Sequence, residues 1–140
     1  NRSQFVSVDG CHSNSILVPS GVPQDTVLGP TLFLLYINDI VNQCNSQMRL
    51  FADDAVIYRV IKSPSDHDVL QNDLNNLKSW ADNWQMDFNI AKCHLLSVTN
   101  RRKRSVRNYS IDSQELSSVA NHDYLGVSCS RDLRWSVQSL

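Results

Sequence analysis

The sequence predicts an α+β fold, with helices packed on one face of an antiparallel sheet. Two observations lead there. Short runs of alternating or apolar residues are bounded by Gly, Pro, Asn and Asp, and two longer segments carry helical spacing. The order of these pieces (strands, helix, hairpin, helix, strands) suits one layered domain, and 140 residues with 41% hydrophobic content are enough to bury its core.

The elements follow in chain order. Gln4 to Asp9 alternates through Phe5, Val6 and Val8 and stops at Gly10, which reads as a strand, with Ser15 to Val18 as its partner across a polar loop from Cys11 to Asn14. Pro19 to Asp25 is a loop by its Pro and Gly content. Gly29-Pro30 then opens a helix from Thr31 to Val41 that is apolar nearly all round, so burial on most sides is expected. Met48 to Phe51 and Ala55 to Ile61 form a hairpin with Ala52-Asp53-Asp54 at its tip. Ser63 caps a second helix with Pro64 just inside, and Leu70, Leu74, Leu77, Ala81 and Trp84 recur along it at three- or four-residue steps. Val69, Trp80 and Trp84 widen its buried face, so the two tryptophans read as core before base-stacking platforms. A turn at Phe88 to Lys92 leads into a strand from Cys93 to Thr99. Beyond a basic loop come a hairpin pairing Tyr109–Ile111 with Leu116–Val119, turning at Asp112-Ser113, and a last strand from Tyr124 to Ser128.

Composition narrows the function classes. The longest apolar run, Leu32 to Ile37, is about a third of the ~18 residues a membrane helix needs, so no membrane partner is expected. The net charge is −1, yet five of the thirteen basic residues (Arg101, Arg102, Lys103, Arg104 and Arg107) crowd into seven positions. That run reads as a solvated loop, a track for nucleic-acid phosphate or a nuclear localisation signal. The four cysteines lie more than thirty residues apart, which matches no zinc spacing. Free thiols in a reducing compartment, nucleus or cytoplasm, are the expectation.

The chemistry concentrates at Asp53-Asp54. With thirteen Asp in the chain, one Asp-Asp dipeptide is expected by chance, so its setting carries the weight. Two adjacent carboxylates at a hairpin tip repel each other unless solvated or neutralised by a cation. Mg²⁺ suits them, because it takes one or two carboxylates and completes its octahedron with phosphates and water.

Phe51-Ala52-Asp53-Asp54 resembles the catalytic box of the reverse transcriptases of non-LTR (LINE-type) retrotransposons. Ser20-Gly21-Val22-Pro23-Gln24, with Val27 to Pro30 and Leu35 to Asp39, resembles the preceding template-and-nucleotide motif of that family. Asn89-Ile90-Ala91-Lys92 is similar to its Asn-x-x-Lys element, and Tyr124-Leu125-Gly126-Val127 to its primer-grip hairpin. The resemblance implies a polymerase palm, an RNA-directed DNA polymerase and two Mg²⁺ ions in the complete enzyme. RNA template, DNA primer and deoxynucleoside triphosphates are its implied partners, with fingers, thumb and an endonuclease elsewhere in a parent polyprotein. It also implies roles. Asp53 and Asp54 would be catalytic metal ligands, and Lys92 would face the triphosphate. Gly21, Pro23 and Gln24 would bind template and nucleotide, while Tyr124, Leu125 and Gly126 would hold the primer. Arg101, Arg102, Lys103 and Arg104 would contact nucleic-acid backbone.

The family's other catalytic Asp stands on a strand upstream of the Gly-Val-Pro-Gln loop, and Asn1 begins after it. Residues 1–140 therefore read as a partial domain, running from after that strand to the primer-grip region. Such a piece is expected to be inactive alone. Asp25 stands where the family has Gly, adding a charge and a Cβ near the phosphate path. The alternative reading is a catalytically dead, truncated retroelement relic that at most binds nucleic acid.

Overall fold

The computed structural model describes residues 2–18, 21, 26–99 and 107–133. They belong to two units, Asn1–Asn38 and Asp39–Leu140, each considered by itself.

The first unit begins with one irregular hairpin. Strand β1 (Arg2–Gln4) pairs antiparallel with β4 (Ile16–Val18), and β2 (Ser7–Val8) with β3 (Cys11–His12). The chain reverses at Asp9-Gly10, both with positive φ, as in the turn whose twist matches that of paired strands. The sequence placed this reversal later, as a loop from Cys11 to Asn14. Asp-Gly is the stronger turn signal, so Cys11-His12 joins the ladder instead. Farther down, Val6 N donates to Ser13 Oγ and Ser13 N to the Val6 carbonyl, both at 2.9 Å.

Helix α1 (Gly29–Ile37) starts where Gly29 N donates to Thr26 Oγ1 at 3.0 Å, with Pro30 in the first turn. The expected buried helix running to Val41 is corrected on two counts. It stops at Ile37, and a separate 3₁₀ turn covers Ile40–Gln43. Moreover Leu32, Leu34, Leu35 and Tyr36 are exposed, Leu35 by 69%, and only Gly29 and Ile37 of the helix are buried. The hairpin of the same unit is too short and too exposed to cover an apolar cylinder.

In the second unit, β5 (Gln47–Phe51) and β6 (Asp54–Tyr58) form a regular antiparallel hairpin. Helix α2 (Pro64–Asn83) follows and supplies the centre of the core with Leu74, Leu77, Trp80 and Ala81, joined among the buried side chains by Ile40, Met48, Tyr109, Ile111 and Leu116. Its start is the one expected. Ser63 N donates to Asp66 Oδ2 at 2.9 Å and Asp66 N to the Ser63 carbonyl at 3.1 Å, with Pro64 in the first turn. Its end lacks glycine. Gln85 takes the left-handed φ of 55°, Met86 N donates to Ala81 O at 2.8 Å, and Gln85 N to Asp82 O at 3.2 Å, the bond pair of a Schellman cap. Trp84 is thereby the cap residue and 40% exposed, so it does not join the core as expected.

After a 3₁₀ turn at Ile90–Lys92, strand β7 (His94–Leu96) is shorter than the expected Cys93–Thr99. Strands β8 (Ser110–Ile111) and β9 (Gln114–Glu115) close a hairpin through Asp112-Ser113, both with positive φ. The turn stands where the sequence put it, but the tight reversal pairs Gln114-Glu115 at once. The expected partner, 116–119, is freed, and β10 (Ser117–Val119) runs parallel to β7. The expected last strand is instead the turn of a hairpin, β11 (Asn121–Tyr124) with β12 (Val127–Ser130), because Leu125 and Gly126 both adopt positive φ. The described strands thus pair as six two-stranded ladders, and the mixed helix-and-strand content agrees with the sequence.

Candidate active site

Five consecutive pairs zip β5 to β6, from Gln47↔Tyr58 to Phe51↔Asp54, and leave Ala52-Asp53 as a two-residue turn. Met48 is buried and its cross-strand partner Ile57 half-buried, so this side of the ladder faces inward. On the other side Gln47, Arg49, Phe51, Asp54 and Tyr58 are exposed, and the Arg49 guanidinium lies 6.0 Å from the Tyr58 ring centre. Asp53 sits in the turn and Asp54 on the first residue of β6. Both are exposed, and neither carboxylate has a hydrogen bond or ion pair among the described residues. Ala52 carries the turn's positive φ of 50°, a position that usually takes glycine, and a side chain there costs about 1–2 kcal/mol.

A buried acid anchors the hairpin. Asp73, on α2, is 0% exposed and accepts Ser46 N at 2.8 Å and Asn45 N at 2.9 Å, with Asn45 Nδ2 at 3.4 Å. These are the residues that lead directly into β5, so the carboxylate ties the start of the hairpin to the helix. Two more bonds hold the same approach: Trp80 Nε1 donates to Asp39 Oδ1 at 3.1 Å, and Asn76 Nδ2 to the Gln43 carbonyl at 3.3 Å. Sequence reasoning missed Asp73. The usable signal was an Asp one residue before Leu74 on an apolar helix face, where a bare carboxylate needs donors. Nearby, burial together with the negative charge of Asp73 pushes the Cys44 thiol up to about 11, so it is inert at neutral pH.

The other expected site residues stand as follows. Lys92 ends the 3₁₀ turn, exposed, with its ammonium unpaired among the described residues. Tyr124 is half-buried and pairs with Val127 across the exposed turn of Leu125 and Gly126. Gly21 has a φ of 88°, which a side chain resists although no atom crowds it, and its carbonyl accepts the Arg2 guanidinium. Pro23, Gln24, Asp25, Arg101, Arg102, Lys103 and Arg104 lie outside the described residues. All four cysteines are free, and no three His, Cys, Asp or Glu side chains gather into a metal cage among the described residues. Two exposed, unpartnered carboxylates fit part of a Mg²⁺ sphere, which needs only one or two from protein, but do not make a full cage. Among the described residues no helix is long and apolar enough to cross a membrane.

These features define a class: a mixed α/β domain presenting an exposed acid pair on a tight hairpin. The chain matches the model of the reverse transcriptase (RNA-dependent DNA polymerase) family over residues 2–129 and belongs to that family. It is 34% identical to the RNA-directed DNA polymerase from mobile element jockey of Drosophila funebris, over 94% of this chain and 15% of that protein. The jockey polymerase of Drosophila melanogaster is 31% identical over 96% of this chain and 16% of its own length. A probable RNA-directed DNA polymerase from transposon X-element of Drosophila melanogaster is 30% identical over 85% and 14%. The chain thus spans about a sixth of the length of these relatives. No solved structure matches it.

Proposed function

We propose that the chain is the palm portion of an RNA-directed DNA polymerase that extends a DNA primer on an RNA template by two-metal phosphoryl transfer. One observation carries the reading: in a member of this family, the two acids of the Phe-Ala-Asp-Asp box stand exposed and unneutralised on a rigidly anchored hairpin. Asp53 and Asp54 would hold divalent metal, together with an acid elsewhere in the whole polymerase. When bound, the metal would neutralise the charge that develops on the attacking 3′-oxygen as it loses its proton and on the departing pyrophosphate. The protein's own part is placement. The β5–β6 ladder fixes the direction of the carboxylates, and Asp73 fixes where the ladder starts. Lys92 offers an ammonium to the departing pyrophosphate, Gly21 with Pro23 and Gln24 lines the template and nucleotide path, and Tyr124 to Gly126 holds the primer. Four free cysteines favour a reducing compartment, nucleus or cytoplasm.

The test has two arms. Mn²⁺ titrated into the 140-residue chain should broaden the amide resonances of Asp53 and Asp54 first, and Asp53→Asn should remove that effect. In a polymerase containing the whole catalytic domain, Asp53→Asn should cut primer extension on RNA by about 10²-fold or more, as loss of a charge-stabilising group does. Unchanged extension in that variant would refute the reading.

A further inference from the structure

At the end of the hairpin opposite the acid pair lies a cavity of about 310 Å³ lined by Asn45, Ser46, Gln47, Tyr58, Arg59, Val60, Lys62 and Asp66. Five-residue strands rising about 3.3 Å per residue put it roughly 17 Å from Asp53. Its volume reaches the low end of small-molecule sites, and its walls are mostly apolar with a few polar and charged groups and one aromatic ring, Tyr58.

The polar groups here are underused. Arg59 spends only Nε, on Asp66 Oδ1 at 3.1 Å, and its two terminal amino groups have no partner among the described residues. The same holds for the Lys62 ammonium, the Gln47 side-chain amide and the Tyr58 hydroxyl. Independently, Ser46 is 8% exposed and its Oγ is buried without a hydrogen-bond partner. A buried hydroxyl is normally satisfied by protein, water or ligand, so this one calls for a partner.

Charge decides the ligand class. Arg59 and Lys62 contribute two positive charges and Asp66, ion-paired with Arg59 at 3.1 Å, one negative, a net charge of +1. Asp66, the acid in the lining, is already taken up by Arg59, the Lys62 and Ser63 amides and the Ser63 hydroxyl, at 2.9–3.1 Å. The balance favours an anion. A guanidinium fork beside an ammonium suits phosphate oxygens. Tyr58, 42% exposed, offers a ring for a base to stack on, and Gln47 and Asn45 offer amides to its edge.

We propose that this cavity binds a phosphate ester of a nucleotide, at a site separate from the acid pair. Arg59 and Lys62 take the phosphate, Tyr58 stacks the base, and the Ser46 side chain turns outward to bring its buried Oγ to the ligand. The ester comes either from a free mononucleotide or from a single RNA strand.

The 140-residue chain is titrated by ¹H–¹⁵N NMR at low salt, with chelator present so that no divalent metal contributes. The probes are adenosine 5′-monophosphate, inorganic phosphate and a six-nucleotide single-stranded RNA. Saturable shifts at Gln47, Arg59 and Lys62 are expected with the mononucleotide or the RNA. The tighter of the two identifies the source of the ester. Lys62→Gln should weaken binding about fivefold or more. Ser46→Ala should also weaken it while leaving the urea midpoint unchanged or higher, which a purely structural serine would not do. Asp53→Asn should leave binding intact, so this result stands apart from the fate of the polymerase reading. The proposal is overturned if no probe saturates, if inorganic phosphate binds as tightly as either ester, if Lys62→Gln and Ser46→Ala bind like wild type, or if Asp53→Asn abolishes binding.

Discussion

Removing the Asp73 carboxylate should free the start of the β5–β6 hairpin from α2. It accepts two backbone N–H groups and one side-chain amide, and is itself fully buried. Asn45 is exposed, so in Asp73→Ala water takes over its N–H at little cost. Ser46 is 8% exposed, and its N–H is left without an acceptor, a loss of about 1–3 kcal/mol. The cavity left by the carboxylate and the loss of a charge-assisted bond bring the expected total to about 3–4 kcal/mol. Asp73→Asn keeps one acceptor oxygen but turns an amide NH₂ toward an N–H, so about 2 kcal/mol is expected. Urea unfolding followed by circular dichroism measures both. With a slope near 1.5 kcal/mol per molar, the alanine variant should unfold about 2 M earlier. Hydrogen exchange gives the local readout, since the Ser46 amide should lose protection before the middle of β5 does. A midpoint shifted by less than about 0.5 M, with Ser46 still protected, would refute the anchoring role.

Two further outcomes follow from the ends of α2. Gln85→Gly should stabilise the chain by about 0.5–1 kcal/mol, raising Tm by roughly 2–4 °C, because it relieves a side chain held at φ 55° while giving back part of the gain as unfolded-chain entropy; an unchanged or lower Tm counts against the cap. At the other end, hydrogen bonds from the Ser63 and Lys62 amides, then the Ser63 hydroxyl, with Arg59 adding a smaller share, hold the Asp66 carboxyl well below the usual carboxylate range. A depressed folded pKa gives stability that is present above the unfolded value of about 3.9 and lost as pH falls below it. The urea midpoint of wild type should therefore fall more steeply below pH 4 than that of Asp66→Asn; parallel profiles would remove Asp66 from the account.

The fold was legible wherever local chemistry and pairing agree. Ser63-Pro64 with Asp66 marks a helix start because cap, ring and carboxylate all favour it, and α2 begins there. The hairpin around Ala52-Asp53 was legible because apolar runs flank the two acids Asp53 and Asp54. Three of the strand errors share one cause: reversals tighter than composition suggests. Asp9-Gly10, Asp112-Ser113 and Leu125-Gly126 all turn on two residues with positive φ, which reassigns the strand that follows each. Leu125 and Ser113 give no sequence signal for that conformation, nor does Gln85. Parallel pairing of β7 with β10 was out of reach for a different reason, since it joins segments more than twenty residues apart with no turn to announce it. For the site, the acid pair could be read from the sequence, but its support could not. Asp73 and Asp39 look like two more of thirteen aspartates until the fold shows what they accept.

That support explains how an unfavourable tip survives. Ala52 is held at a φ that costs about 1–2 kcal/mol, and Asp53 and Asp54 place two negative charges side by side with no counterion from the described residues. Neither feature helps folding. Strain and repulsion gathered at one turn persist only where the surroundings over-determine it. Here they do, through five ladder pairs, the buried Met48 and two short bonds to a carboxylate on the neighbouring helix. The compensation lies at the base and along the length of the hairpin, and the cost lies at its tip. A hairpin selected for stability alone would place Gly at position 52 and a neutral residue at 53 or 54. Two unsatisfied acids at 53 and 54 are what the proposed cation site uses, because a carboxylate already satisfied within the fold would have nothing left to offer.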